Sequence, residues 1–306
     1  MSAATATQES APPLDRVGQS YVDSLWAARG LLVTLIKRDI KVKYKESFLG
    51  FLWSFAKPLF LMLILGLVFG VMLDFRLGNT RVDYWVHIIV SLVPWMLMVN
   101  GLTDALASVV QSGNLIKKVR IQTEVFPLAA ILSNTIHFLI SLAMLFIFLQ
   151  IYGLWNGHGL LIDRPLILLP IALAIQLLMM IGLGLLLASL NVFFRDIASI
   201  FEVLIAGFFY ATPIIYDYTF FSAWLGRHPG LNWLSYIYAL NPMVGVMAAY
   251  RRALIYVGPL AQEGGLEMLN DQLLTHLIVS LAISAAIFVL GLAVFRRLSR
   301  TFADRL

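Results

Sequence analysis

The stretch Leu177–Leu190, LLMMIGLGLLLASL, contains no charged residue. A second apolar run, Leu59–Phe69, reads LFLMLILGLVF. Neither run alternates between polar and apolar residues, as the strands of a membrane β-barrel do. Continuous apolar runs of this kind are typical of membrane-spanning helices. The two runs therefore predict a bundle of helices in a membrane.

The composition of the whole chain agrees with this prediction. Of its 306 residues, 60% are hydrophobic and 13% are charged, whereas a soluble domain has about 45–50% apolar and about 25% charged residues. This excludes a soluble enzyme, a disordered protein and a fibrous repeat. Cysteine is absent, which excludes disulfides, zinc–thiolate sites, iron–sulfur clusters and a cysteine nucleophile.

Six stretches reach roughly the 20 residues that a helix needs to cross the hydrocarbon core. We therefore expect an all-α membrane protein with six transmembrane helices. The chain then divides into a disordered N-terminal tail (1–20), an amphipathic interfacial helix (21–47) and a six-span domain (48–306). The predicted spans are Phe48–Leu73, Tyr84–Val110, Val125–Tyr152, Leu166–Phe194, Ile197–Tyr216 and Leu277–Phe295.

The distribution of Lys and Arg predicts the orientation, because cytoplasmic loops carry an excess of both. With a cytoplasmic N-terminus, seven precede the first span, three lie between spans two and three, one follows span four and four follow span six. That is 15 of the 22 Lys and Arg residues, against six outside, while Lys57 lies within the first span. We therefore expect both termini in the cytoplasm.

The segment Met243–Val257 does not fit the span pattern. It is apolar at both ends, carries Arg251 and Arg252 in its middle and is too short to cross a bilayer. We therefore expect it to be an external element, either amphipathic at the interface or re-entrant.

The segment Tyr21–Tyr44 combines apolar residues at helical spacing with a basic set. This composition is typical of a helix that lies in the inner membrane interface. It favours either plain topological anchoring or a basic collar that guides an anionic lipid headgroup. The basic set is Arg29, Lys37, Arg38, Lys41, Lys43 and Lys45.

The short loop between spans two and three, residues 111–120, is polar and basic. Gly113 and Asn114 are suited to capping a helix, and Leu115, Ile116 and Val119 would share one face of it. The loop is either an ordinary positive-inside loop or a docking helix for a cytoplasmic partner. The residues of the candidate helix are Asn114, Leu115, Ile116, Lys117, Lys118, Val119 and Arg120.

The external segment Asp217–Pro242 is rich in aromatic rings. His228-Pro229-Gly230 breaks it into two short pieces. The rings belong either to the membrane interface, where aromatic side chains are enriched, or to a surface that stacks on sugars. They are Tyr218, Phe220, Phe221, Trp224, Trp233, Tyr236 and Tyr238.

The fifth predicted span carries a mixed stripe at spacings of three and four residues. A carboxylate, rings and a proline on one face favour a channel wall or gate over a lipid face. The alternative is that Glu202, like Asp104, lies near the cytoplasmic interface and is hydrated. The stripe is Glu202, Ala206, Phe209, Pro213 and Tyr216.

The chain lacks the motifs of an enzyme that works alone. No P-loop pattern is present to hold ATP, and neither an H-E-x-x-H nor a G-x-S-x-G motif occurs. We therefore expect no catalytic residue and no metal site on this chain. Energy for any transport would come from elsewhere.

A series of short motifs, in family order from about Leu31 to Phe295, resembles the ABC-2 type permeases, and more narrowly the exporters of polysaccharide and O-antigen or teichoic acid. Lys57 departs from the resemblance, since the family often has a neutral residue before this proline. The motifs are Lys37–Lys45 (KRDIKVKYK), Leu49–Trp53, Lys57–Leu59, Val93–Trp95, Asn114–Val119, Phe126–Pro127, Arg195–Ile197, Thr212–Tyr216 and Leu240–Met243.

This resemblance implies a homodimer of six-span subunits in a bacterial inner membrane, each paired with a separate ABC ATPase that binds ATP and Mg. It implies a coupling helix at Asn114–Arg120 and two short external gate helices between spans five and six. The expected partners also include membrane lipids but no nucleic acid.

We therefore expect the transmembrane subunit of an ATP-driven exporter of polyprenyl-diphosphate-linked polysaccharide. Alternatives are an ABC-2 exporter of a small drug or lipid, a membrane-embedded glycan or lipid enzyme, and a structural scaffold. The diphosphate is expected at four cations and the gate at seven residues. The cations are Arg38, Lys41, Lys43 and Lys45, and the channel or gate residues are Glu202, Phe209, Pro213, Tyr216, Tyr218, Trp224 and Trp233.

Overall fold

The computed structural model describes residues 28–44, 52–74, 83–118, 121–156, 164–255 and 267–306. Within these ranges every regular element is helical. The predicted all-α class is therefore confirmed for the described part of the chain. The α-helices are α1 (Arg29–Tyr44), α2 (Leu52–Leu65), α3 (Tyr84–Gln111), α4 (Gly113–Lys118), α5 (Val125–Trp155), α6 (Leu168–Phe193), α7 (Ile197–Ala211), α8 (Tyr218–Gly226), α9 (Leu234–Ala239), α10 (Pro242–Leu254), α11 (Asn270–Leu298) and α12 (Phe302–Arg305).

Segments of π-helix and 3₁₀-helix adjoin several of the α-helices. α2 continues as the π-helical segment Gly66–Met72. Short 3₁₀ segments lie at Arg164–Ile167 before α6, at Pro229–Leu231 between α8 and α9, and at Ser299–Thr301 before α12. The break predicted at His228-Pro229-Gly230 therefore does separate two short helices.

Five helical segments of the described chain are long and apolar enough to cross a membrane. They match five of the six predicted spans. The fifth predicted span, Ile197–Tyr216, is represented by α7, which ends at Ala211 and has 15 residues. At 1.5 Å per residue α7 is about 22 Å long, shorter than the roughly 30 Å hydrocarbon core. The five are Phe55–Met72, Tyr84–Lys118, Val125–Trp155, Leu168–Phe193 and Asn270–Thr301.

α3 is the central helix of the bundle. It packs against α2, α5, α6 and α10, and its residues from Val86 to Trp95 are all buried. In contrast, α2 and α11 leave large side chains such as Phe60, Leu63 and Val289 exposed. An apolar outer surface around a packed interior is what a lipid-facing bundle requires.

α6 and α11 cross where both helices carry glycine. A side chain on Gly182 would come within 2.6 Å of the backbone of Phe288, and one on Gly291 would collide with the carbonyl group of Gly182. Gly184 of α6 also lies in a close contact, because a side chain on it would come within 2.8 Å of Ile131 of α5. Small residues let membrane helices approach closely, and this set acts within one chain.

α10 corresponds to the predicted external element Met243–Val257, of which the residues up to Ile255 are described. The structure buries it inside the bundle, between α3, α6 and α11. Every residue from Pro242 to Arg251 is buried, which a helix lying on the interface would not achieve. The amphipathic surface alternative is therefore wrong, and the re-entrant alternative agrees with this burial.

Candidate functional site

A polar cluster joins α1 to two membrane-spanning helices. Lys43 Nζ of α1 lies 2.7 Å from Asp104 Oδ2 of α3 and donates to Asn134 Oδ1 of α5, also at 2.7 Å. Asn134 Nδ2 in turn donates to Asp104 Oδ2 at 2.8 Å. α1 is held in this position because Leu35 is buried in an apolar cluster with the first turns of α5. We call Lys43, Asp104 and Asn134 the polar triad.

Two clefts of about 370 Å³ each meet at the polar triad, and Lys43 and Asp104 line both. The cleft along α1 contains Arg38, Asp39, Ser108, Gln111 and Ser112, and we call it the α1 cleft. The cleft beside α2, the α2 cleft, contains polar side chains from several spans. Besides Lys43 and Asp104, these are Lys57, Asn100, Asn134, His137 and Ser141.

The predicted basic collar is divided among different environments. Arg38 is exposed and pairs with Asp39, with Arg38 Nη2 2.9 Å from Asp39 Oδ1. Lys41 is exposed on α1, and Lys43 is held in the polar triad. Lys45 lies outside the described residues. Lys43 and Arg38 therefore both line the α1 cleft, while Lys41 is absent from its lining.

α4 forms where the coupling helix was predicted. Asn114, Lys117 and Lys118 are exposed, whereas Leu115 and Ile116 are half-buried against an apolar cluster of the same chain. The face of α4 that remains accessible is therefore polar and basic. Val119 and Arg120 lie outside the described residues.

The C-terminal residues support α4 from inside the chain. Phe302 is fully buried, edge-on to Phe295 with ring centroids 5.4 Å apart. Leu306 lies against Gly113, so that a side chain at Gly113 would approach Leu306 Cβ to 3.4 Å. In the sequence this part of the chain is marked by its four basic residues after span six. In the structure its apolar residues pack beside Leu115 and Ile116.

The predicted stripe of span five is interrupted. Glu202 is exposed on α7, and Phe209 packs edge-on to Trp95 with ring centroids 5.4 Å apart. α7 ends at Ala211, and Thr212 has an extended backbone, so Pro213 and Tyr216 do not continue the helical face. The prediction of one continuous stripe is therefore wrong, because proline disfavours a helical conformation in the residue before it.

The aromatic residues of the segment Asp217–Pro242 have different surroundings. Tyr218 lies 5.4 Å from the ring of His276, and Trp224 stacks on His228 with centroids 4.5 Å apart. Trp233 is 54% exposed. The structure thus distributes the predicted gate residues over α7, the segment between α7 and α8, α8 itself and the turn before α9.

Arg251 of α10 is the centre of a buried network that the sequence reading missed. Its guanidinium binds both carboxylate oxygens of Glu267, with Nε donating to Oε2 at 2.7 Å, and it also donates to Ser91 Oγ at 3.0 Å and to the carbonyl of Pro213 at 2.6 Å. Glu267 Oε1 accepts from the backbone N–H of Tyr218. Arg251 was counted as an outside-loop charge, although an arginine amid buried apolar residues is itself a signal of a specific partner.

Asp217 lies next to this network and caps α8. Its carboxylate accepts from the backbone N–H of Phe220 at 2.9 Å and from Thr219 Oγ1 at 2.7 Å. Asp217 is fully buried. Burial, reinforced by the nearby carboxylate of Glu267, raises the pKa of the Asp217 carboxyl, because both disfavour its charged form.

The ABC-2 type transporter family model matches residues 30–253, from α1 to α10. The chain belongs to the ABC-2 type transporter family. The match spans both clefts, the polar triad and α4.

Relatives of this ABC-2 chain include the O-antigen export system permease protein RfbA of Myxococcus xanthus, which is 32% identical over 230 residues. That alignment covers 75% of the ABC-2 chain and 82% of the relative. An RfbA of Klebsiella pneumoniae, also named an O-antigen export system permease protein, is 29% identical over 276 residues, covering 90% and 94%. This second alignment extends over nearly the whole of both chains.

Proposed function

We propose that this ABC-2 chain is the transmembrane subunit of an ATP-driven exporter that moves a lipid-linked polysaccharide of O-antigen type across a bacterial inner membrane. The observation that carries the proposal is the alignment with permeases named for O-antigen export, over up to 90% of the chain. This relationship favours polysaccharide over a small drug or lipid as cargo, and a transporter over a membrane enzyme.

The proposed assembly is a homodimer with both termini in the cytoplasm, in which each copy crosses the membrane six times. α7 and the buried turn after it, together with re-entrant α10, would complete the sixth crossing. α8 and α9 would act as the external gate helices, with Tyr216, Tyr218, Trp224 and Trp233 offering ring faces to the glycan. Aromatic rings pack against the C–H faces of sugars whatever the order of sugars in the glycan, so such contacts would let the glycan slide past them.

The energy would come from an ABC ATPase on a separate chain, which would hold ATP and Mg. The absence of a P-loop pattern from the sequence supports this division. α4 would be the coupling helix, because it follows α3 after a single residue and presents Asn114, Lys117 and Lys118 outward. Movement of α4 would then be transmitted directly to α3.

The basic face of α4 provides the test. We expect Lys117→Glu together with Lys118→Glu to abolish co-purification of the ATPase subunit and export of surface glycan, because the reversed charge would repel an acidic partner surface. Pull-down from membranes and glycan blotting measure both effects.

A matched control is the double variant Arg297→Glu/Arg300→Glu. It makes the same charge change on exposed residues near the C-terminus that are not part of α4. The control is expected to retain the ATPase. Retention of the ATPase and of normal glycan export by the Lys117/Lys118 variant would show that α4 is not the coupling element.

A further inference from the structure

The α2 cleft carries two cations from different helices. Lys43 reaches it from α1 and Lys57 from the first turns of α2. Polar groups from α3 and α5, among them Asn100, Asn134 and Ser141, line the same space. Placing polar and ionisable side chains within membrane-spanning helices costs free energy unless they face water, protein or a ligand. Their convergence on one cleft therefore points to a binding site.

Lys43 is oriented and still has a donor available. An ammonium group has three N–H donors, and Lys43 uses two of them, toward Asp104 and Asn134. Because Asn134 also donates to Asp104, the polar triad is a closed ring of three contacts. Within the described part of the chain the third N–H of Lys43 has no acceptor, so it is left for a ligand in the cleft.

Lys57 supplies the excess charge of the cleft. In the described ranges Lys57 has no carboxylate within ion-pair distance, whereas the charge of Lys43 is balanced by Asp104. Among the described residues, the charged side chains that line the α2 cleft are Lys43, Lys57 and Asp104, which sum to one net positive charge. An anion is the ligand that this imbalance favours.

An apolar path begins at Lys57. Phe60 and Ile64 follow it on α2 at spacings of three and four residues and are exposed, and Leu67 is exposed in the π-helical segment that continues α2. Residues at this spacing share one face of a helix. A ligand with a phosphate at Lys57 and a hydrocarbon chain along this face would match both features. The cleft volume of about 370 Å³ is within the range of small-ligand sites.

We propose that the α2 cleft binds the diphosphate headgroup of an isoprenoid-linked glycan. Lys43 and Lys57 are its two cations, and Asp104 and Asn134 are positioning residues that aim Lys43. The proposal rests on the proposed function. To the cations expected from the sequence it adds one further cation, Lys57, and the two positioning residues Asp104 and Asn134. It places the headgroup beside α2 rather than on the exposed face of α1, where Lys41 lies.

The test measures binding of a fluorescent polyprenyl diphosphate to the permease–ATPase complex in nanodiscs. Lys57→Gln is expected to weaken binding about tenfold, because one charge-assisted contact is lost, and Lys57→Arg to restore most of it. Asp104→Asn removes the carboxylate that balances Lys43 and releases Lys43 from its fixed position, so binding is expected to depend more steeply on salt concentration than in the wild type. Arg195→Gln, an exposed cation outside the cleft, is the charge-matched control.

Competition with phosphatidylglycerol distinguishes the two sources of a lipid phosphate. The proposal requires that phosphatidylglycerol compete weakly and that its own binding be less sensitive to Lys57→Gln. Equal competition, or equal loss in the Arg195→Gln control, would overturn the assignment to an isoprenoid diphosphate. Unchanged binding in Lys57→Gln, together with an unchanged salt dependence in Asp104→Asn, would overturn the site itself.

Failure of the site is separable from failure of the proposed function. If the variants bind normally while the wild-type complex exports glycan in an ATP-dependent manner, only the site is wrong. If the wild-type complex, with its ATPase bound, exports no glycan, the proposed function is wrong whatever the variants do. Lys57 makes no ion pair with another described residue. Its substitution is therefore expected to leave folding largely unchanged.

Discussion

Two ion pairs that contact α3, Arg251–Glu267 and Lys43–Asp104, differ in how far they are exposed. Arg251–Glu267, which α3 contacts through Ser91, has side chains that are 0% and 3% exposed, whereas those of Lys43 and Asp104 are 36% and 41% exposed. Thirteen residues separate Ser91 from Asp104 along α3, which is about 20 Å at 1.5 Å per residue. One pair therefore lies deep in the bundle and the other at the junction of two clefts.

The two cations, Arg251 and Lys43, also differ in how many of their hydrogen-bond donors are used within the protein. The planar fork of Arg251 makes two bonds to Glu267 and one each to Ser91 and Pro213. Lys43 is a compact point charge that leaves one donor available. The comparison indicates that the arginine pair maintains the fold around the turn after α7, while the lysine pair can gain a ligand without losing its own contacts.

The largest effect is expected at the buried pair. Arg251→Met leaves Glu267 buried without its partner, which costs about 3–5 kcal/mol in comparable sites. The free energy of unfolding in detergent, measured by chemical denaturation, checks this. The double variant Arg251→Met/Glu267→Gln removes both charges and is expected to recover a large part of the loss. A double variant as unstable as the single one would contradict a charge-based cause.

A smaller effect is expected beside the buried pair, at Asp217. Because the pKa of this carboxyl is raised in the folded state, the folded protein binds more protons than the unfolded chain between the ordinary pKa and the raised one. The free energy of unfolding therefore falls as the pH rises through that interval. Asp217→Asn retains an oxygen that can accept from Phe220 but cannot ionise, so this component of the pH dependence disappears.

Thermal unfolding of both proteins across pH 4–8 measures that difference. The variant is expected to gain relative stability as the pH increases, since wild-type Asp217 then carries a buried charge. All other titrating groups are shared, so the difference between the curves isolates Asp217. Parallel curves over the whole range would contradict the raised pKa.

The smallest effect on stability is expected at the half-exposed pair. Asp104→Asn is predicted to change the free energy of unfolding by less than about 1 kcal/mol, because exposed ion pairs contribute little. The same denaturation measurement used for Arg251→Met checks this. A loss as large as that of Arg251→Met would show that the two pairs are equivalent in the fold, and the comparison between them would fail.

Hydropathy and local pattern determined where the long membrane-spanning helices lie along the chain. α3 and α5 begin at Tyr84 and Val125, as predicted from the sequence, because long uncharged runs can satisfy their backbone only as helices in a bilayer. The end of α7 was missed, although Pro213 was a local signal for it. The helix α4 was also predicted, from its capping residues Gly113 and Asn114, and His228-Pro229-Gly230 correctly predicted the break between α8 and α9.

Only the tertiary structure decided which polar side chains meet. Lys43, Asp104 and Asn134 come from three helices, and Arg251, Glu267, Ser91 and Pro213 come from four separate parts of the chain. Hydropathy depends on each segment alone, whereas these contacts depend on which faces of distant helices pack together. A charge such as Arg251 has the same identity in sequence whether it is hydrated or buried, and its neighbours across the bundle determine the difference.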